Sequence, residues 1–143
     1  EKNKKVEKSV KKLIDVENKF GIKKFSTYKK FGEKVYKIRE NIIKNLNKLK
    51  KDHKKIIGYG APAKATTALN FYGISDQIDF IVEDNSLKHN KFIPGVKIPI
   101  KSKKIVKNSN NTMVVLAWNF YKDIKKNNAN LSKNFVNIKE LEN

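Results

Sequence analysis

At 143 residues with a net charge of +19, the chain is long enough for one buried core and too short for a two-domain enzyme. It has no cysteine, which excludes a disulfide framework and a thiolate metal site. No apolar run is long enough to span a bilayer and no charged-then-apolar leader resembles a signal peptide, so the expectation is a cytoplasmic protein without a membrane partner. The chain begins at Glu1 rather than methionine, as a piece of a longer protein would.

The positive charge raises nucleic acid as a partner, but its make-up speaks against one. Arg39 is the only arginine, and lysine lacks the planar fork that reads base edges and phosphates bidentately. Lysine abounds alongside asparagine and isoleucine, as an A+T-rich genome would encode. The field would still attract an anionic ligand. Most of the excess falls in residues 1–55.

Those first residues predict two helices. Val6, Val10, Leu13, Ile14 and Phe20 recur at three- and four-residue spacing among lysines, and Gly21-Ile22 forms a stop signal. Ser26 or Thr27 is placed to cap a second helix, whose apolar stripe runs Phe31, Val35, Ile38, Ile42, Leu46, Leu49. Such a basic amphipathic helix can lie on anionic lipid; the reading preferred is packing on the domain that follows or on sequence upstream. His53, in a lysine run at the helix end, is explained by the helix dipole.

From Lys55 the pattern alternates. Ile56–Tyr59 predicts a strand, 62–72 a helix with Ala65, Thr66 and Ala68 on its packing side, and 77–82 a second strand. A loop with Pro94-Gly95 and Pro99 follows, then a helical turn near 102–106. Residues 113–117 predict a third strand, 119–128 a helix and 135–138 a short fourth strand. The expected fold is therefore α/β: a Rossmann-like parallel sheet of about four strands flanked by helices, preceded by two amphipathic helices. The boundary falls between an N-terminal helical segment, 1–52, and the Rossmann-like domain, 53–143.

Ligands of such sheets bind beyond the carboxyl ends of the strands, where three clusters converge. The first is Gly58-Tyr59-Gly60-Ala61-Pro62-Ala63-Lys64, a Gly-x-Gly-x-x-Ala turn opening a helix. Here Gly58 would permit the tight turn and Gly60 a close approach to a phosphate, Ala63 would allow close helix packing, and Pro62 suits the first helical turn. Lys64 can pair with a phosphate or simply be solvated. The second cluster, Glu83-Asp84-Asn85, lies where a dinucleotide fold carries its ribose-binding acid; Asp84 can accept from sugar hydroxyls or be a polar strand end. The third, Trp118-Asn119-Phe120-Tyr121, offers stacking surfaces and an amide, although Trp118 can equally be core and Asn119 a helix cap. His89 follows the second strand and is either a ligand contact or an exposed loop residue. No catalytic residue emerges: there is no Ser/His/Asp set, no metal-ligand spacing and no carboxylate pair.

Beyond these features, an ordered series of strings resembles the C-terminal domain of the S-adenosylmethionine-dependent sugar C-methyltransferases. It comprises Ile57–Lys64, Leu69-Asn70-Phe71-Tyr72-Gly73-Ile74, Asp84-Asn85-Ser86-Leu87-Lys88, Lys91–Ile100 and Leu116-Ala117-Trp118-Asn119-Phe120. The resemblance implies a chain that forms the substrate side of a cleft for a nucleotide-linked keto-deoxysugar. S-adenosylmethionine, the zinc-binding region and the catalytic histidine and tyrosine would belong to an upstream methyltransferase domain. The reaction it implies is proton abstraction beside the sugar ketone, then attack of the enolate on the donor's methyl group. Under it, Gly58, Tyr59, Gly60, Ala61, Pro62, Lys64, Asp84, Asn85, Trp118 and Asn119 are the expected substrate-binding residues. Ala65 departs from the glycine common after the lysine in relatives and would narrow the approach of a pyrophosphate. A stand-alone module binding a dinucleotide or coenzyme A is the alternative.

Overall fold

The computed structural model describes residues 7–52, 55–107 and 110–143; Val6 and His53 lie outside the described residues. Two compact units divide the chain, 1–37 and 38–143.

In the first unit, helix α1 (Lys8–Phe20) ends where expected. Gly21 takes the left-handed conformation at φ 82° and its N–H reaches the carbonyls of Glu17 and Asn18, with Ile22 N–H also on Glu17. None of the α1 residues is buried, and Leu13 and Phe20 are 58% and 73% exposed. Helix α2 (Phe25–Asp52) starts before the expected caps. Ser26 and Thr27 both lie inside its first turn, and the Thr27 hydroxyl instead donates 2.8 Å to Gly21 O, so the side chain staples the corner rather than capping the helix.

The α2 stripe changes character along its length. Ile42 and Leu46 are fully buried, with Ile38, Ile43 and Leu49 packed against the same core, whereas Phe31 is 67% exposed. Asn41 and Asn45 donate to the carbonyls of Glu142 and Leu141, which binds the chain's end to this half of α2. The lone arginine also has a structural role, since Arg39 Nε donates to Tyr72 O at 3.3 Å and covers an orphan carbonyl at a helix C-terminus.

The second unit is built on five parallel strands, β1 (Lys55–Tyr59), β2 (Phe80–Val82), β3 (Ile100–Lys101), β4 (Asn111–Val115) and β5 (Asn134–Asn137), in the order β3-β2-β1-β4-β5. The α/β class and the parallel sheet are as expected; the strand count is five rather than four. The unforeseen strand, β3, has two residues, too few for any periodicity. Its ladder is read out by Ile81 N–H on Pro99 O and Glu83 N–H on Lys101 O, a pairing that exists only once β2 is in place. The second strand is shorter than expected, starting at Phe80; just before it the Asp79 carboxylate accepts from Ile56 N–H at 2.9 Å. The β4 strand begins earlier, with Asn111 and Thr112 buried, the Ser132 hydroxyl donating to Asn111 O.

Alternation along β1 and β4 divides the core between two faces. Ile56, Val114 and Leu116 face helix α3 (Ala63–Tyr72) and the second half of α2; Ile57, Tyr59, Met113 and Val115 face Leu131, Tyr121 and Ile124. Tyr121 and Ile124 lie on helix α4 (Tyr121–Asn127). The helix expected over 119–128 starts instead as a 3₁₀ turn at Trp118–Phe120. In α3 it is Ala65 and Leu69 that are buried, while Ala63 is exposed; close packing falls to Ala65, a correction to the role expected of Ala63. Its methyl group therefore belongs to the core.

Candidate functional site

Strand order reverses between β1 and β4, and at their carboxyl ends the chain leaves in opposite directions, which opens a crevice. A 320 Å³ cleft lies there, lined by Tyr59, Gly60, Pro62, Glu83, Asp84, Lys88, Ala117, Phe120 and Ile124. A second depression of 320 Å³ shares Glu83 and Asp84 and is completed by Ser86, His89, Ser102, Lys103 and Lys104.

The two glycines of the turn work differently from expectation. Gly58 is an ordinary strand residue whose added Cβ would fall 2.8 Å from Ile81 Cγ1 and 3.1 Å from Leu116 Cδ1; packing across the sheet requires it, not a turn. The left-handed residue is Gly60, at φ 88°, and its Cβ would meet Ala117 Cβ at 2.9 Å. Pro62, expected in the first helical turn, sits just outside the helix as its N-cap at φ −71°.

Two of the turn's donors, the Gly60 and Ala61 N–H groups, are already engaged. Gly60 N–H donates to Val82 O at 2.8 Å, and Ala61 N–H donates to Glu83 Oε2 at 2.8 Å. The other oxygen, Oε1, accepts from Asn85 N–H at 3.1 Å. Lys88 Nζ closes the loop, donating 2.9 Å to Ala61 O and lying 3.6 Å from Glu83 Oε2. Burial by itself would raise the Glu83 carboxyl, but the N–H groups of Asn85 and Ala61 and the Lys88 charge bring it below the ordinary glutamate value.

Asp84 anchors the opposite wall. Its Oδ2 accepts from the Tyr59 hydroxyl at 2.9 Å and its Oδ1 pairs with Lys103 Nζ at 2.8 Å. The Lys103 hydrogen bond, aided by the Tyr59 hydroxyl against partial burial, holds Asp84 below the usual aspartate range. Tyr59 moves the other way: burial and then the neighbouring Asp84 carboxylate raise its phenol, so it stays a neutral donor. His89 Nε2 donates to Glu83 O at 2.7 Å, so its half-buried ring is tied to the loop rather than free in it.

Of the expected site residues, the fold gathers Tyr59, Gly60, Pro62 and Asp84 on the cleft, with Ala61 held at its edge. Asn85 is bound into the loop, its Oδ1 accepting from Leu87 N–H. Gly58 lies in the sheet. Lys64 and Trp118 form a separate pair, with Lys64 Nζ 4.0 Å and Lys139 Nζ 5.4 Å from the indole centroid, and Trp118 packs on the core that α3 covers. Asn119 is exposed and does not line the cleft. Glu83 and Phe120 stood in the expected clusters without a binding role of their own, and Lys88, Lys103 and Ile124 were given none. Glu83, first residue past β2, had a legible position; Lys103 is one lysine among many until the fold sets it beside Asp84.

The depressed carboxylates carry a pH signature. A group whose folded pKa is lowered contributes stability above its unfolded value and loses it as pH falls through the folded one. The wild-type chain is therefore expected to lose stability from about pH 5 downward, since unfolded Asp and Glu titrate near 4. Glu83→Gln removes the titrating group, and urea midpoints measured from pH 7 to pH 3 should fall less steeply in that variant. Equal slopes would show that Glu83 is not held below its unfolded value.

Among the described residues, no helix is long and apolar enough to cross a membrane. Residues 1–138 match the C-methyltransferase C-terminal domain family. The C-methyltransferase NovU of Streptomyces niveus is 30% identical over 131 residues, a stretch covering 90% of this chain and 31% of that protein; the chain thus spans about a third of the relative it matches. A parallel sheet with a crevice at its switch point and a family match across nearly all of the sequence lead to one conclusion: this chain belongs to the C-methyltransferase C-terminal domain family.

Proposed function

We propose that this chain is the substrate-side domain of an S-adenosylmethionine-dependent C-methyltransferase that acts on a nucleotide-linked keto-deoxysugar. The observation that carries the reading is the switch-point cleft, whose lining presents hydrogen-bond acceptors and aromatic and aliphatic walls but a phenol pushed away from ionisation. Such a set can bind and orient a substrate through its acceptors and its neutral phenol donor. The family and the partial coverage of a longer C-methyltransferase are consistent with chemistry performed by an upstream methyltransferase domain.

The glycine turn of this chain does not fit S-adenosylmethionine, because Gly60 is packed against Ala117 and Ala61 N–H already holds Glu83. The methyl donor is accordingly assigned to the rest of the longer enzyme. Here Tyr59, Gly60, Ala61, Pro62, Asp84 and Asn85 form the proposed substrate face, with Lys64, Trp118 and Asn119 beside it, supported from below by Gly58. Their work is to position the nucleotide-sugar and to exclude water from the reacting carbon.

Titration of the ¹⁵N-labelled chain with a deoxythymidine-diphosphate sugar tests this. Saturable shifts of the Asp84, Asn85 and Asn119 amides and of the Trp118 indole, absent with a plain dinucleotide, are the expected result. Shifts of equal size with the dinucleotide would favour the nucleotide-module alternative. No shift with either would show that this chain does not bind by itself.

A further inference from the structure

A glycine turn after the first strand of such a sheet ordinarily offers its backbone N–H groups to a ligand's phosphate. In this chain an internal carboxylate fills that place. Glu83 Oε2 lies 2.8 Å from Ala61 N, Gly60 N–H is spent on Val82 O, and the Glu83 side chain is only 14% exposed. Two further contacts hold the carboxylate: Asn85 N–H donates to its other oxygen, and Lys88 Nζ lies 3.6 Å from Oε2 while donating to Ala61 O. The remaining cleft carboxylate, Asp84, is likewise paired, with Lys103 and the Tyr59 hydroxyl. In a protein of net charge +19, the cleft is thus locally balanced. Lys88, the one cation among its described lining residues, is already engaged.

We propose that Glu83 is a specificity-determining plug: it occupies the anion position of the glycine turn, excludes phosphate groups from it, and reserves the switch-point cleft for an uncharged, hydroxyl-bearing part of the ligand. This deepens the substrate-side reading and rests on it for the identity of the ligand, but the plug itself is a property of the chain. A diphosphate entering the turn would meet a carboxylate already bonded to the donor it needs, and would have to displace it against both like-charge repulsion and a charge-assisted hydrogen bond. Hydroxyl groups face no such barrier. Asp84, with its side chain 57% exposed, still has acceptor capacity toward them.

Inorganic pyrophosphate is the probe, titrated at constant ionic strength into ¹⁵N-labelled wild-type, Glu83→Ala and Glu83→Gln chains while the Ala61 and Asn85 amides are followed. In wild type the Ala61 resonance should stay put. In Glu83→Ala it should shift saturably, with affinity at least about tenfold above wild type, the scale of one charge-assisted hydrogen bond gained. The glutamine side chain keeps an acceptor for Ala61 N–H while losing the charge, so that variant should bind more weakly than Glu83→Ala. Saturable wild-type shifts at Ala61 would overturn the proposal, as would a folded Glu83→Ala chain that binds no better. Glu83→Gln binding as tightly as Glu83→Ala would also overturn it, since net charge rather than occupancy would then be the cause. Should Glu83→Ala fail to fold, the wild-type and glutamine titrations still decide, together with hydrogen exchange at Ala61, which the plug must slow. None of these measurements involves a sugar nucleotide, so their failure leaves the substrate-side reading standing, and the reverse holds too.

Discussion

Replacing Gly60 with alanine is expected to cost about 2–5 kcal/mol of folding stability, the sum of a left-handed backbone penalty of ~1–2 kcal/mol and ~1–3 kcal/mol of overpacking. Both terms are specific to this residue. Its φ is 88°, a conformation L side chains rarely adopt, and the added methyl would lie 2.9 Å from Ala117 Cβ. The two terms can be separated. Ala117→Gly removes the opposing methyl, so the double variant Gly60→Ala/Ala117→Gly should recover the overpacking term and retain the backbone one. Urea unfolding of the four chains, read as a double-mutant cycle, measures the coupling. A coupling near zero would mean that the turn moves to accommodate the methyl group, and the tight apposition of the β1 and β4 ends at the crevice would have to be abandoned.

The second large effect lies in α2 and divides that helix in two. Leu46→Ala should cost about 2–5 kcal/mol, the usual range for emptying a fully buried leucine site. Leu46 is 0% exposed and packs in the core that also holds Ile42, Leu69 and Leu141. On the same sequence stripe, Phe31→Ala should change stability by no more than about 0.5 kcal/mol, because Phe31 is 67% exposed and surface truncations away from a core rarely cost more. Equal costs at the two positions would contradict the change from exposed to buried along α2. An inexpensive Leu46→Ala would instead mean that the second half of the helix is not part of the core.

These two sites show why some of the molecule was readable and some was not. The α2 stripe was visible as spacing, and spacing reports which side chains share a face, not what covers that face. Nothing in Phe31 or Leu46 as residues separates them; the sheet beneath Leu46 does. The glycines are similar. Both Gly58 and Gly60 announced a constraint, yet the roles expected of them were misassigned, because a need for left-handed backbone and a need for empty space look identical in one sequence. Gly58 is governed by Ile81 and Leu116 across the sheet, residues 23 and 58 positions away that register alone brings near.

The candidate site divides along the same line. The ends of β1, β2 and β4 were marked in advance by Tyr59-Gly60-Ala61-Pro62, Glu83-Asp84-Asn85 and Trp118-Asn119-Phe120, and the fold does bring the first two clusters and Phe120 to one cleft. Trp118, by contrast, takes the Lys64 and Lys139 ammonium groups over its ring. A small difference in position along a 3₁₀ turn sends the indole toward the core and leaves Phe120 on the cleft. No periodicity carries that distinction.

The sequence by itself determined the α/β class, the parallel alternation of strands and helices, the helix stop at Gly21 and the family, because each is written in local residue order: hydrophobic period, glycine position, ordered strings. Tertiary structure alone decided the fifth strand, the division of α2 into exposed and buried halves, and the filling of the glycine turn by Glu83. Each of these depends on atoms distant in sequence meeting at hydrogen-bond or van der Waals range. A two-residue strand exists only through its neighbour's ladder, and a backbone N–H is free or taken only once the chain has closed around it.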